Sequence, residues 1–184
     1  MKKKAKLLLF IVASLLVLLV FATLLLPARG QVVSAATVYA PDSLVWQQLH
    51  QLRAYTGWFP WADPERAAVL YAKDGAGQIK AFAFRRQGAD GHGQYRLGKE
   101  QGDSILHYTL TFSNMPRMEG RYLVQKQGDH SLVIWEMDME AGWRPWWRFY
   151  AAMMHKLSQP LLDSGLARFK QQCEQSQKGQ SLAQ

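Results

Sequence analysis

The chain has 184 residues, of which 22 are lysine or arginine and 14 are aspartate or glutamate, so its net charge is +8. Five of the basic residues flank one apolar segment near the N-terminus, and the remaining 17 stand against 14 acidic residues, a net charge of about +3. No arginine-rich run is left that would indicate nucleic-acid binding, and the single cysteine, Cys173, excludes an internal disulfide.

The first 30 residues combine a basic start with a long apolar segment. Four lysines lie within the first six residues, and twenty uncharged residues follow from Leu7 to Leu26. At a rise of about 1.5 Å per residue, a helix of about twenty residues crosses the hydrocarbon core of a bilayer. We therefore expect residues 1–30 to form a basic flank and a single-pass transmembrane anchor.

A cleaved secretory signal peptide is the alternative for the same segment. Signal peptides have an apolar stretch of only about 7–15 residues and a small-residue cleavage site. Here the stretch is longer, residues 27–30 offer no such site, and a cut near Ser34 would remove most of the first predicted strand. The lysines before the span predict a cytoplasmic N-terminus by the positive-inside rule, with the rest of the chain periplasmic or extracytoplasmic, as at a bacterial inner membrane.

The first elements of the soluble part are a strand and a helix. Residues 31–40 alternate weakly and are rich in valine, threonine and alanine, which favours a strand. It ends at Pro41, and Asp42 or Ser43 is expected to cap a helix whose apolar residues recur with helical spacing. Glycine and proline within residues 55–61 then end this helix, and a second short helical turn is expected there.

Residues 67–139 predict a run of antiparallel strands joined by tight turns. In residues 105–112 and 131–139 every second side chain is apolar, so one face of the sheet should be buried. Glu136 and Asp138 fall on the opposite face. The turn signals lie at residues 74–77, 88–91, 101–103, 114–116 and 128–129.

The chain closes with a predicted helix that begins near Pro145 and carries an apolar stripe beyond Pro160. Pro160 is expected to kink or split this helix because proline removes a backbone donor and clashes with the preceding turn. Residues 176–184 are rich in glutamine and serine, and we expect them to form a flexible tail.

The predicted elements are a strand, two short helices, a run of hairpin strands and a long last helix. This is the helix-grip order, an α+β class in which a curved antiparallel sheet wraps the C-terminal helix. The segment from Ala40 to Trp61 fits the pattern A-P-x-x-x-V-W-x-x-L-x-x-L-x-x-Y-x-x-W-x-P-W, and the last helix carries Gly165-Leu166 before Phe169-Lys170. These residues resemble the START-like (SRPBCC) superfamily, nearest to its polyketide cyclase/dehydrase-type branch. The resemblance covers residues 31–175.

The resemblance implies a cavity for a hydrophobic ligand between the sheet and the last helix. Tyr108, Tyr122 and Trp135 are of most interest because each joins an apolar body to one polar group. The alternative is that the predicted lining residues simply fill the core. Arg117, near a turn at the rim, could meet an anionic headgroup, or be a solvated charge. The full set of predicted lining residues is Phe82, Phe84, Tyr108, Leu110, Tyr122, Val124, Trp135, Met137, Tyr150 and Met153.

Other chemistry is weakly indicated. The histidines have no partners at metal-ligand spacing, so neither a metal site nor a cofactor is expected, and Cys173 is expected to be a packed thiol. Residues 143–148 join tryptophan to arginine, which suits a membrane interface but also packing at the start of a helix.

The leading hypothesis is a membrane-anchored, non-catalytic START-like domain that binds a hydrophobic or amphipathic small molecule, such as a lipid. A cyclase- or aromatase-type enzyme using the same cavity is the alternative, in which a cavity tyrosine or acid handles protons. A third possibility is an envelope interaction module that docks through residues 143–148. No protein partner is indicated by the sequence.

Overall fold

The computed structural model describes residues 2–65, 67–86 and 91–182. Within these ranges the helices are α1 (Lys2–Leu24), α2 (Asp42–His50), a 3₁₀ helix (Leu52–Gly57) and α3 (Pro145–Leu182). The strands are β1 (Arg29–Val38), β2 (Ala67–Lys73), β3 (Ile79–Arg86), β4 (His92–Gln101), β5 (Ile105–Phe112), β6 (Met118–Gln127) and β7 (His130–Glu140). The α+β element order predicted from the sequence is confirmed.

The seven strands form one antiparallel sheet in the order β1-β7-β6-β5-β4-β3-β2. Strands β2 to β7 are a meander, and three of its tight turns place glycine at positive φ, Gly102 and Gly128 among them, where a side chain would be strained. Helix α3 packs along β1 and across the sheet, so the sheet grips the last helix as expected. The predicted turn at residues 88–91 falls largely outside the described residues.

One end of the sheet gathers the segments that matter below. The start of β1 pairs with the end of β7 through Arg29 and Glu140, and the start of β6 pairs with the end of β7 through Met118 and Met139. The end of β5 lies next to the start of β6. We call this the anchor end, after the anchor expected in α1, because only residues 25–28 join α1 to β1 here.

Helix α1 is apolar and stands clear of the domain. Lys4–Leu24 is long and apolar enough to cross a membrane, and none of this segment is buried. A signal sequence near an N-terminus meets the same criterion of length and composition. At its end, Arg148 of α3 donates hydrogen bonds to the carbonyl oxygens of Leu24 and Leu26.

The structure corrects the expected start of α2. The helix begins at Asp42, with Pro41 at the N-cap and no side-chain capping bond, so neither Asp42 nor Ser43 is the cap. Pro41 supplies the required extended φ and ψ, and Asp42 stands in the first turn, where a carboxylate complements the helix dipole. The first strand begins at Arg29, two residues earlier than predicted, because its first residues pair with the end of β7.

Of the kink or split predicted at Pro160, the structure excludes the split. Helix α3 runs unbroken from Pro145 to Leu182, into the segment expected to be a tail. Pro160 is exposed, while Ser158 before it and Leu162 after it are buried. Packing on both sides of the proline holds the helix together across the missing backbone hydrogen bond.

Candidate functional site

Five aromatic side chains cross the inner face of the sheet, one from each of β3 to β7. Neighbouring ring centroids are 5.0 to 5.5 Å apart, and three of the four contacts are stacked. We call this row the ring ladder, and it consists of Phe82, Tyr95, Tyr108, Tyr122 and Trp135. The register explains it, because Phe82 pairs with Tyr95 and Tyr122 pairs with Trp135 across adjacent strands.

The ring ladder is covered from the helix side by further rings. The Trp58 ring lies 5.7 Å from Trp135 and 4.8 Å from Phe169 of α3. Phe59 stacks on Trp135 at 5.8 Å. Contacts of this kind add to the free energy of burying the rings themselves, and they occupy the space between sheet and helix where a ligand cavity was expected.

Most of the predicted lining residues are therefore parts of one packed core. Tyr150 and Met153 of α3 are only half-buried. Whether the others meet a ligand stays a prediction, and the residues that the structure buries in this core are Phe82, Phe84, Tyr108, Leu110, Tyr122, Val124, Trp135 and Met137.

Gly120 makes room for the Tyr108 phenol. A Cβ atom at this position would lie 2.3 Å from the Tyr108 ring and 2.5 Å from the carbonyl oxygen of Glu136. The absence of a side chain lets Tyr108 reach across β6, where its hydroxyl donates to that carbonyl at 3.3 Å. The Trp135 indole N–H donates in turn to the Tyr108 oxygen at 2.6 Å.

A second pair of tyrosines is joined in the same interior. The Tyr55 hydroxyl donates to the carbonyl oxygen of Leu49 at 2.9 Å, so Tyr95 is the donor in the 3.1 Å contact between the Tyr55 and Tyr95 oxygens. The Tyr122 hydroxyl and the Trp58 indole N–H are buried without a hydrogen-bond partner among the described residues. The polar groups predicted to orient a ligand are thus largely paired with one another.

These tyrosines cannot serve as bases at neutral pH. Burial is the largest cause that raises the pKa of Tyr55, Tyr95, Tyr108 and Tyr122 above the ordinary value of about 10. Each phenol therefore stays protonated and is able to donate a hydrogen bond. The carboxylates Glu136 and Asp138 lie on the outer face, as predicted, and Glu136 pairs there with Arg121 at 2.6 Å.

An open groove of about 630 Å³ lies at the anchor end, beside this packed interior. Residues 113–116 of the β5–β6 turn form one wall, and residues 140–144 and Trp147 form the other. Met115 and Trp147 are partly buried against the core and give the groove an apolar part beside its polar lining residues. We call it the end groove, and its volume falls within the usual range of ligand sites.

Arg144 gives the end groove a cationic side. Its side chain is exposed, and it makes no ion pair among the described residues. Glu140, on the same wall, is paired with Arg29 at 2.7 Å. An unpaired guanidinium next to an apolar floor suits an amphipathic anion, because guanidinium groups bind carboxylates and phosphates through strong, directed hydrogen bonds.

Solved structures with the same architecture show which fold this is. A START superfamily protein from Mycobacterium smegmatis superposes with a TM-score of 0.59 at 18% identity, over 79% of this chain and 97% of that one. The chain after α1 has a START-like fold. No family model matches the chain, and no curated protein does so either.

Two further structures share the START-like fold. The Zhui aromatase/cyclase from Streptomyces sp. R1128 has a TM-score of 0.59 at 16% identity, over 79% of this chain and 94% of that one. A solution structure of a Staphylococcus epidermidis protein has a TM-score of 0.57 at 12% identity, over 83% of this chain and 94% of that one. At these sequence identities, the similarity shows a shared fold and nothing more.

Arg117, the predicted rim residue, lies on the outer face of the START-like domain. Its guanidinium donates to the Thr109 hydroxyl at 3.1 Å and lies 3.2 Å from Glu119. Thr109 alternates with the buried Tyr108 and Leu110, which fixes its face. The arginine that lines the end groove is Arg144, and sequence reasoning missed this role because the opposite wall comes from a turn that is distant in the chain.

Nucleophilic and metal chemistry finds no support in the described ranges. Burial raises the pKa of the Cys173 thiol to about 12, so Cys173 is the packed residue expected from its apolar stripe. Among the described residues, no three His, Cys, Asp or Glu side chains are grouped so that they could hold a metal ion.

Proposed function

We propose that this chain is a membrane-anchored START-like domain that binds an amphipathic small molecule or lipid with an anionic head in the end groove, without catalysing a reaction. The observation that carries the proposal is the place of the groove. It opens at the anchor end, with Arg144 at its side and Met115 and Trp147 at its floor. A molecule that partitions into the bilayer reaches this end of the domain first.

The anchor itself is part of the proposal. Helix α1 exposes apolar side chains along its whole length, which costs free energy in water at about 25 cal/mol per Å² and is relieved in lipid. Arg148 supplies a cation at the C-terminal end of α1, where the helix dipole and the unpaired carbonyl groups favour one. The lysines at the other end favour a cytoplasmic N-terminus.

A cyclase- or aromatase-type enzyme is the second candidate. The likeness in fold to the Zhui aromatase/cyclase and the cluster of buried tyrosine hydroxyls favour it. Against it, the raised pKa values keep these phenols neutral, and Glu136 and Asp138 face away from them. General acid–base catalysis is most efficient with a group whose pKa lies near the working pH, and burial moves the pKa of these phenols away from it.

The test is ligand capture by the full chain in nanodiscs, followed by native mass spectrometry. The three probes are 1-oleoyl-lysophosphatidic acid, oleyl alcohol and inorganic phosphate. We expect the lysophospholipid to bind well above the other two, because it alone fills both the cationic and the apolar side of the groove. Equal capture of oleyl alcohol would assign the site to apolar contact alone, and capture of phosphate alone would point to an anion site without lipid; either result contradicts the proposal.

Arg144→Gln sharpens the same experiment. Removal of the guanidinium is expected to weaken lysophosphatidic acid binding about tenfold, since a charge-assisted hydrogen bond contributes about 1.5–3 kcal/mol. Arg53→Gln is the matched control, because Arg53 lines a groove of about 540 Å³ at the opposite end of the sheet. Unchanged binding by Arg144→Gln, or an equal loss in Arg53→Gln, would rule out the end groove as the site.

A further inference from the structure

Three large aromatic side chains are exposed beside the junction of α1 and α3. Trp143 is 75% exposed, Trp146 is 60% exposed and Phe149 is 59% exposed. Monomeric domains rarely leave several large rings in water next to one another, and such groups commonly mark an interaction surface. We call these three residues the aromatic patch.

The aromatic patch is tied to the end of the anchor helix. Arg148, one residue before Phe149, donates from one guanidinium nitrogen to the carbonyl oxygens of Leu24 and Leu26, the latter at 3.0 Å. Its Nε also donates to the carbonyl oxygen of Gly142 at 2.9 Å, next to Trp143. Arg148 therefore connects the end of α1 both to the loop that carries Trp143 and to the turn of α3 that carries Phe149.

We propose that the aromatic patch inserts into the interfacial layer of the bilayer that α1 crosses, and so holds the START-like domain against the membrane with the end groove at the lipid surface. This inference rests on the membrane anchoring proposed above. Tryptophan is the residue most enriched at headgroup depth, because its ring is apolar and its N–H remains able to meet water or lipid oxygen.

Lipid fits the patch better than a protein partner because the patch continues the apolar surface of α1. Leu25, in the short linker after α1, is 76% exposed, and Arg148 beside it donates hydrogen bonds to the carbonyl oxygens of Leu24 and Leu26. Arg144 lies between Trp143 and Trp146 in the chain and suits the phosphate level of a bilayer. Polarity therefore rises along the surface from α1 to the end groove, as it does from the core of a bilayer to its headgroups.

The test is tryptophan fluorescence of the full chain in vesicles of phosphatidylcholine brominated near the glycerol end of its acyl chains. Bromine quenches only rings that enter the bilayer. The wild-type chain should lose the emission of Trp143 and Trp146, two of its seven tryptophans, relative to vesicles of ordinary phosphatidylcholine. The Trp143→Phe/Trp146→Phe variant should lose nearly none, and phenylalanine keeps the apolar contact so that folding is preserved.

Trp46→Phe is the matched control. Trp46 is half-buried on α2, in a tilted ring contact with His50 at the opposite end of the sheet, so its removal should leave the quenchable emission unchanged. Equal quenching of wild type and the double variant would overturn the inference, since the quenched rings would lie elsewhere. Absence of quenching in the wild-type chain would also overturn it, because the aromatic patch would then contact water or a protein instead of lipid.

The docking test and the test of the proposed function fail in different ways. Flotation of the chain with the vesicles depends on α1, and lysophosphatidic acid capture depends on the end groove. If both persist while quenching is absent, the anchored, ligand-binding domain stands away from the bilayer and only the docking inference is wrong. Loss of flotation would instead remove the anchor on which both proposals depend.

Discussion

At the scale of single residues, the buried tyrosine hydroxyl groups differ in whether they make a hydrogen bond. Tyr108 accepts from the Trp135 indole and donates to the Glu136 carbonyl, whereas Tyr122, its stacked neighbour, has no partner among the described residues. Both phenols are buried to a similar degree. The two residues therefore form a matched pair in which only hydrogen bonding differs.

Tyr108→Phe is expected to lower the free energy of unfolding by about 1–3 kcal/mol, because it leaves the buried Trp135 N–H without an acceptor. Tyr122→Phe should be neutral or slightly stabilising, since it removes a buried hydroxyl that makes no hydrogen bond of good geometry to the described residues. Urea unfolding of both variants measures the difference. Equal losses would show that ring packing, and not the hydrogen bond, determines the cost.

Alternation along the strands was enough to predict which residues are buried, and Tyr108, Tyr122 and Trp135 are all found in the core. It could not predict that Tyr108 and Trp135 bond to each other. That contact depends on Gly120, which stands between them on a third strand. The sequence shows Gly120, but it does not show the strand register that places this glycine beside the Tyr108 ring.

At the scale of elements, α3 shows how packing overrides a local signal. The prediction of a kink or split at Pro160 rested on the missing backbone donor, and the helix continues across it without a split. Buried residues lie on both sides of Pro160, and α3 packs against β1. The helix-grip order was predictable because turn signals and alternation are local, while the fate of one proline depends on contacts distant in sequence.

Pro160→Ala should therefore stabilise the domain. In a helix interior proline is about 3 kcal/mol less favourable than alanine, and the exposed site leaves room for either side chain. We expect a gain of about 1–3 kcal/mol in the free energy of unfolding, measured by urea titration. Ala167→Pro, at another exposed position of α3, should lose about as much; a loss in Pro160→Ala would mean that proline fixes a needed bend.

At the scale of the whole molecule, the segments that build the end groove come from two separate parts of the chain. Residues 113–116 and residues 140–147 meet only because β5, β6 and β7 are neighbours whose ends align at the anchor end. The sequence indicated the chemistry of Trp143–Arg148 and a rim arginine, Arg117, whose role stays a prediction. That Arg144 lines the end groove follows from the topology of the sheet, which the sequence did not show.

The topology of the anchor is testable in cells. A bacterial alkaline phosphatase fused to the C-terminus should be active and a fluorescent protein fused there should be dark, because the lysines before α1 favour a cytoplasmic N-terminus. Replacement of the four N-terminal lysines by glutamine should lower the phosphatase activity several-fold.

Carbonate extraction distinguishes the anchor from a cleaved signal peptide, which would give the same fusion result. An uncleaved α1 keeps the whole chain in the membrane pellet at full length. Release of a shortened chain into the supernatant would contradict the anchor, and a fluorescent C-terminal fusion would contradict the orientation.

The ring ladder has a consequence for the kinetics of binding. Each inner ring of the row touches two neighbours, so one ring that turns aside opens no path unless the adjacent rings move with it. A ligand chain that reaches past Trp147 toward Trp135 must wait for this collective motion, and its observed association rate would level off as ligand concentration rises. A ligand held in the end groove alone associates at a rate that keeps rising in proportion to its concentration.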